Sequence, residues 1–484
     1  MSASATELCY TSAWDLNRLI GARQVSPVEV TQAVLERVQE LDPHVHAFLT
    51  VTPELALKEA REAESRALHG RRLSCLDGIP YSIKDLIATA GVRTTYGSKW
   101  HEHDVPTSDA SVVMRLRSSG GILIGKTNTP HFGHKDSCDN LLGPPCANPW
   151  DLERTAGGSS GGAAAAVCAG FGPIAHGTDG AGSIRIPASF CGVVGLKPSA
   201  GIVPYFPKAD YWARTATHGP IARTVRDAAM MLDAMAGYDP RDPLSIAPPG
   251  EGYLAGLDEP LPPLRVRWTE TFGYGIVDPE VAAICRKAIE ALQDIGCEVE
   301  EAAPGWENPS DFAWVLFRVA YARDVGELAR RRPEWVEPTL LRIIEDGNRY
   351  SAVQYAEALA QRSQFYEQAL NSFSRFDLLV SPTMPLVAWP LNMISTADGR
   401  QGPWEIAGRP LSAGLRRNYL VHPFSLTGFP AITVPCGFTH EGLPVGLQIA
   451  AGPHQDRLVL RVAAAYEQAH PWAQEKPSLG LLAR

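Results

Sequence analysis

Hydrophobic positions near the start of the chain recur every three or four places. Val30, Val34, Val38 and Leu41 follow "SPVE" at Ser26–Glu29, which fits a capping box with proline at the first helical position, so a helix is predicted here. "PELALKEAREAESRAL", Pro53 to Leu68, predicts a second helix with its charges on a solvated face. The pattern then changes to short apolar runs between Gly and Pro: "GIPYSI", "GGILIGKTN" and "CGVVGLKPSAGIV". Such runs read as buried strands. They alternate with helical patterns such as "RTVRDAAMMLDAMAG", which predicts an α/β fold. Residues 239–263, rich in Pro, Asp and Gly, read as a surface connection. A strand in "PLRVRWTET" and a helix in "DPEVAAICRKAIEALQDIG" follow, then a mostly helical stretch over 310–375. Strand texture returns in "FDLLVSPTMP", "PAITVPCGF" and "LPVGLQIAA", before a last helix around Leu458 to Ala469.

Composition removes several function classes. The 484 residues are 45% hydrophobic and 20% charged, enough for a sizeable core and without the signature of disorder. A net charge of −9, from 44 basic and 53 acidic residues, argues against nucleic acid as a partner. No apolar run has transmembrane length, and "MSASATELCYTSAWDLNRLI" lacks the basic start and apolar stretch of a secretory signal. Nine dispersed cysteines without a C-x-x-C pair read as reduced thiols, so a cytoplasmic protein away from membranes is expected.

The candidate chemistry lies in serines. "GGSSGG", Gly157 to Gly162, matches the G-x-S-x-G elbow around both Ser159 and Ser160, a pattern that requires a strand entering and a helix leaving. "AAAAVCAG" supplies the helix, but "ANPWDLERTA" carries turn signals and no β-branched run, so no strand is expected at the entry. In "HGTDGAGSIRIPASFCGVVGLKPS", the small residues Gly180, Ala181 and Gly182 precede Ser183. Small residues let successive N–H groups converge on one point, as an oxyanion hole needs. Ser183 is either a nucleophile at that cradle or the N-cap of a short helix. A serine nucleophile needs a base. The pairs His101/His103 and His131/His134 have no carboxylate or cysteine at a supporting distance, so no metal is expected. Lys84, in "GIPYSIKDLI", is the other candidate: a strand-edge lysine, or a buried amine whose desolvation leaves it neutral.

"GIPYSIKDLI", "ERTAGGSSGGAAAAVCAG" and "HGTDGAGSIRIPASFCGVVGLKPS", in this order, closely resemble the amidase signature family. The resemblance continues through "GPIARTVRDAAMMLDAMAG", "FDLLVSPTMP" and "FSLTGFPAITVPCGF", and covers the chain from about Ser26 to His470. It implies a mixed β-sheet covered on both faces by α-helices, in one domain over 1–484. Within it, N-terminal helices would span 1–75, the catalytic core 76–240, a variable helical substrate-side region 241–375, and the rest of the core 376–484. It also implies a Ser–cis-Ser–Lys triad. The family's lysine falls on Lys84, its bridging serine after a cis peptide on Ser159, and its nucleophile, 24 positions later, on Ser183. The oxyanion hole would be the N–H groups of Gly180, Ala181, Gly182 and Ser183, with Ser160, Asp179 and Arg185 in support.

Some segments depart from the family's habit. In "NTPHFGHKDSCDNLLGPPCANPW", His131 stands where an acidic residue is common, and Pro145-Cys146-Ala147 replace polar and basic residues, which bears on substrate choice. The amidotransferase member of the family, which works on tRNA with partner chains, usually continues after "GVVGLKPS" with a tyrosine–arginine segment. Here "AGIVPYFPKADYWARTATHGP" stands instead, so a glutamine-directed amidotransferase component working with partner chains is the less expected reading. Tyr205, Phe206, Tyr211 and Trp212, with "DFAWVLFRVAY" at 311–321, are candidate walls of an apolar pocket. The expected activity is metal- and cofactor-free cleavage of the C–N bond of a small amide with a hydrophobic or aryl substituent. Aryl carbamate (urethane) or ester hydrolysis by the same triad is the alternative, and a homodimer is left open.

Overall fold

A computed structural model of the chain describes residues 4–213, 215–248, 250–391, 393, 402–411 and 415–479. Among them the N-terminal helices are α1 (Ala5–Tyr10), α2 (Ala13–Gly21), α3 (Pro27–Val45) and α4 (Pro53–Leu68). The helices that follow are α5 (Ser111–Ser118), α6 (Gly161–Cys168), α7 (Arg185–Cys191), α8 (Val225–Met235) and α9 (Pro279–Asp294). Three long or medium helices come next, α10 (Ser310–Arg331), α11 (Pro338–Gly347) and α12 (Ala352–Ser372), before α13 (His422–Thr427) and α14 (Asp456–Ala469). The predicted cap of α3 forms: the Ser26 N–H donates to Glu29 Oε2 at 2.8 Å, and Ser26 Oγ accepts from the Val28 N–H at 2.9 Å. Val30, Val34, Val38 and Leu41 are all buried on its inner stripe.

The strands are β1 (Phe48–Val51), β2 (Pro80–Lys84), β3 (Ile122–Thr127), β4 (Ala147–Asn148), β5 (Asp151–Thr155), β6 (Ile174–Asp179), β7 (Val194–Lys197) and β8 (Thr217–Ala222). They continue with β9 (Leu264–Trp268), β10 (Cys297–Glu301), β11 (Leu378–Pro382), β12 (Glu405–Ile406), β13 (Arg409–Pro410), β14 (Ala431–Phe438) and β15 (Pro444–Ala451). One 11-stranded sheet runs in the order β1-β3-β2-β6-β8-β7-β14-β15-β11-β9-β10. Pairs β2–β3, β2–β6, β9–β10 and β9–β11 are parallel; the others are antiparallel. In β2, β3, β6, β7 and β8 every residue is buried, because helices cover both faces. Exposed positions occur in β1 and β10 at the two edges and at Arg265 of β9 beside β10. The C-terminal strands β14 and β15 lie between β7 and β11, so the end of the chain is stitched into the middle of the sheet.

One local expectation is overturned. The segment entering "GGSSGG" is a strand, β5, paired with the two residues of β4. Its composition is poor for a strand, but distant backbone holds it extended: the Thr155 N–H donates to Trp389 O, and the Leu391 N–H donates to Glu153 O, both at 2.9 Å. Tertiary partners override local propensity here. Residues 239–248 and 250–263 carry no helix or strand, as expected of a connection, although Tyr253 and Leu257 anchor the latter stretch in the core.

Candidate active site

Lys84 ends β2, and Thr178 and Asp179 end β6. The strands are parallel neighbours with Ile83 opposite His176, so both deliver their carboxyl ends to one edge of the sheet. The fully buried Lys84 side chain ends among three hydroxyls: Nζ lies 2.7 Å from Ser159 Oγ, 2.9 Å from Ser160 Oγ and 2.9 Å from Thr178 Oγ1. Burial without an adjacent counter-ion pushes its pKa down to about 7, against weaker upward pulls from Cys138 and Asp179. As an ammonium Lys84 donates to all three hydroxyls; once deprotonated, the amine keeps two N–H donors and gains a lone pair for the third. Ser160 Oγ donates to the Thr178 carbonyl at 3.2 Å, so its proton is already committed.

Backbone geometry sets the serines. The Gly158–Ser159 peptide is cis, and Ser160 leads into α6. Every residue of α6 is buried, and a Cβ on Gly162 would lie 2.4 Å from both Asn128 N and Ala47 O, so only glycine allows this approach. The Ser160 N–H donates to the Ser183 carbonyl at 3.0 Å, tying the two serine segments together. Ser183 is not a helix cap: α7 is preceded by Ile184 and has no side-chain cap.

Asp179 organises the loop that carries Ser183. Its buried carboxylate accepts from the Gly182 N–H at 2.8 Å, the Ile184 N–H at 3.2 Å, Ser425 Oγ at 3.0 Å, and Arg185 Nε and Nη2 at 2.9 Å each. Burial alone would raise this acid, but the Arg185 guanidinium outweighs it and holds the carboxyl well below the usual range. Arg185 in turn donates to Gln448 Oε1 at 2.7 Å, so the loop is braced against β15.

This arrangement bears on the four N–H groups expected at an oxyanion hole. The Gly182 N–H is spent on Asp179, and a Cβ at this residue, whose φ is 105°, would lie 2.3 Å from Val421 Cγ2. The N–H groups of Gly180, Ala181 and Ser183 have no acceptor among the described residues, and these three residues border the cavity while Gly182 does not. They are the available donors.

The cavity holds about 660 Å³ and is bordered by Ser159, Thr178 and Ser183. Trp314, Phe317 and Tyr321 of α10 form one wall, as the aromatic run at 311–321 suggested. Of the four aromatics expected from the earlier segment, only Tyr205 reaches the cavity. Phe206 lies beneath the Arg241 guanidinium at 4.6 Å, and Trp212 is 74% exposed. Tyr211 also stays outside, in a turn that Asp210 holds by accepting from the Trp212 and Ala213 N–H groups at 2.9 and 3.2 Å. His131, Pro145, Cys146 and Ala147 do not border the cavity either, whereas Phe132, His134 and Asp136 do.

The histidine pairs serve the loops. His101 Nδ1 meets Asp104 Oδ2 at 2.7 Å, and His134 spans the His131 carbonyl at 2.8 Å and Thr339 Oγ1 at 2.7 Å. Among the described residues no cluster of three His, Cys, Asp or Glu is placed to hold a metal ion. Sequence reasoning missed Thr178, whose only signal is its place before Asp179. It also missed Asn418, which donates from Nδ2 to the Ala181 carbonyl at 3.2 Å across 237 positions.

A buried lysine among hydroxyls, beside free backbone donors and a cavity with an aromatic wall, suits an amidohydrolase. A family model described as Amidase matches residues 29–460, and the chain belongs to that family, with the amidase signature fold. It is 41% identical over 478 residues to an acylamidase of Rhodococcus erythropolis, covering 98% of each chain. Its fold superposes with a TM-score of 0.88, at 28% identity, on a bacterial aryl acylamidase of the amidase signature enzymes, covering 96% of this chain and 97% of that one. It superposes equally well, with a TM-score of 0.88 at 31% identity, on a 6-aminohexanoate cyclic dimer hydrolase, covering 97% of this chain and 99% of that one. The protein hydrolyses the C–N bond of a carboxylic amide. Among the described residues no helix is long and apolar enough to cross a membrane.

Proposed function

We propose that Lys84, Ser159 and Ser183 form one proton relay, and that the substrate is an amide with a hydrophobic or aryl group. The observation that carries this is the Lys84 amine, buried without a counter-ion and 2.7 Å from Ser159 Oγ. Neutral Lys84 takes the Ser159 proton as Ser159 takes that of Ser183, and Ser183 attacks the carbonyl carbon. The oxyanion is held by the N–H groups of Gly180, Ala181 and Ser183. The relay returns the proton to the leaving nitrogen, the C–N bond breaks, and an acyl-enzyme remains. Water then repeats the path and releases the acid. The aromatic wall on α10 supports the apolar substrate.

A stand-alone amidase is favoured over a glutamine-directed amidotransferase component, because the aspartates at the cavity, Asp136, Asp324 and Asp346, are each held by an arginine. Arg417 holds Asp136 through two contacts of 2.7 Å, and Arg318 faces Asp346 at 3.5 Å. Every group of the relay comes from one chain, and one sheet joins both ends of that chain, which supports a single domain. The nine unpaired thiols support a reducing, cytoplasmic setting. The test is to trap the acyl-enzyme on an aryl amide and map it by mass spectrometry. Label on Ser183 is expected, with about 10⁴-fold or greater loss of kcat in Ser183→Ala. Label on Ser159 or Ser160 would falsify the assignment.

A further inference from the structure

Two polar side chains face the cavity without a role in the relay. Asn418 and His422 stand one turn apart, with the His422 N–H donating to the Asn418 carbonyl at 3.0 Å. Both border the cavity and both are more than nine-tenths buried, at 9% and 6% exposure. Asn418 uses Nδ2 on the Ala181 carbonyl. Among the described residues nothing pairs with its Oδ1 or with either ring nitrogen of His422. Ala313, Leu316, Leu411 and Leu426 give the same cavity an apolar part of its wall, beside Arg416 and Arg417. Polar atoms in such a wall cost stability unless they meet a hydrogen-bonding partner.

We infer that His422, together with Asn418, reads a neutral hydrogen-bonding group of the carboxamide type on the substrate, next to the amide that is cut. The Asn418 contact with Ala181 places this subsite beside the oxyanion loop. A neutral imidazole offers one donor and one acceptor, and Asn418 Oδ1 offers an acceptor, which matches the C=O and N–H of an amide. Burial, with the nearby Arg185 charge, pushes the His422 pKa down to about 4, so the ring carries no charge with which to select a carboxylate. Lys208 is the rival reader: it borders the same cavity, with its ammonium 4.7 Å from the Tyr205 ring. The inference rests on the acyl-transfer reading above only for the place of the scissile bond.

The test uses two series of anilides, carrying a carboxamide, an isopropyl or a carboxylate group of similar size. In one series the group is on the acyl chain, in the other on the aniline ring. In at least one series kcat/KM for the carboxamide should exceed that for the isopropyl analogue by about tenfold or more, mainly through KM. His422→Leu should collapse this ratio towards one, and His422→Gln, which keeps a donor and an acceptor, should preserve most of it. A ratio near one in both series overturns the subsite, as does a preference for the carboxylate or a ratio unmoved by His422→Leu. If His422→Leu does not fold, the ratios of the unsubstituted enzyme still decide. Hydrolysis of the isopropyl anilides without a carboxamide preference sinks the subsite while leaving the relay intact.

Discussion

The serine-bearing core and the helices over the cavity are built differently. In α6 and β6 every residue is buried, and Lys84, Asp179 and Arg185 are each fully enclosed. In α10, which supplies the aromatic wall, only Ser310, Ala313, Leu316, Val325, Gly326 and Ala329 are buried along 22 residues. Val325 and Ala329 pack with Val336, Leu340 and Ile344 in a small cluster apart from the main core. The proposed chemistry thus sits where geometry is over-determined, and substrate contact sits where packing is thinner. A group that must keep an unusual protonation state needs the first environment, while a wall that only shapes a cavity tolerates the second.

Breaking the core should have the largest effect. Arg185→Met leaves the Asp179 carboxylate buried without its cation, and about 3–5 kcal/mol of stability should be lost on chemical denaturation. A stability close to that of the unsubstituted protein would show that the brace is dispensable. The next effect is on rate. Lys84 must be neutral to act, and burial lowers its pKa to about 7. The neutral fraction rises about tenfold per pH unit below that value, so kcat/KM should climb with pH and level off above about 7. A maximum in acid would remove Lys84 as the base.

The helical wall should respond more weakly and in another parameter. Trp314→Ala should raise KM for aryl amides about tenfold while leaving the melting temperature nearly unchanged. A large loss of stability would mean that α10 belongs with the core after all. The smallest effect is expected at Trp212, which sequence alone placed beside the pocket. Trp212→Ala should change stability by no more than about 0.5 kcal/mol and leave KM as it was, since the side chain is 74% exposed.

Much of this was legible from the chain itself. The cap at Ser26, the bounds of α4 and the strand at β2 follow from local spacing, because helix caps and side-chain periodicity act over a few residues. The family resemblance, rather than local spacing, singled out Lys84, Ser159 and Ser183; Ser159 and Ser183 border one cavity, and Lys84 lies behind Ser159 at 2.7 Å. β5 was not legible, since its extended backbone is held by Trp389 and Leu391. Phe206, Tyr211 and Trp212 were misplaced for the same kind of reason: an aromatic in a loop has no periodicity to say which way it faces.

What the sequence by itself determined is therefore the inventory and the local order: which residues are helical, which are strand, and which small residues surround the serines. Only the tertiary structure decided the environment of each group. The pKa of Lys84 is lowered by burial among atoms from strands and loops far along the chain, and its desolvation is a sum over all of them. The Gly182 N–H, which local spacing offered to an oxyanion, was instead claimed by Asp179 once the loop closed around Arg185. Electrostatics and burial are collective properties of the packed chain, and no window along it contains them.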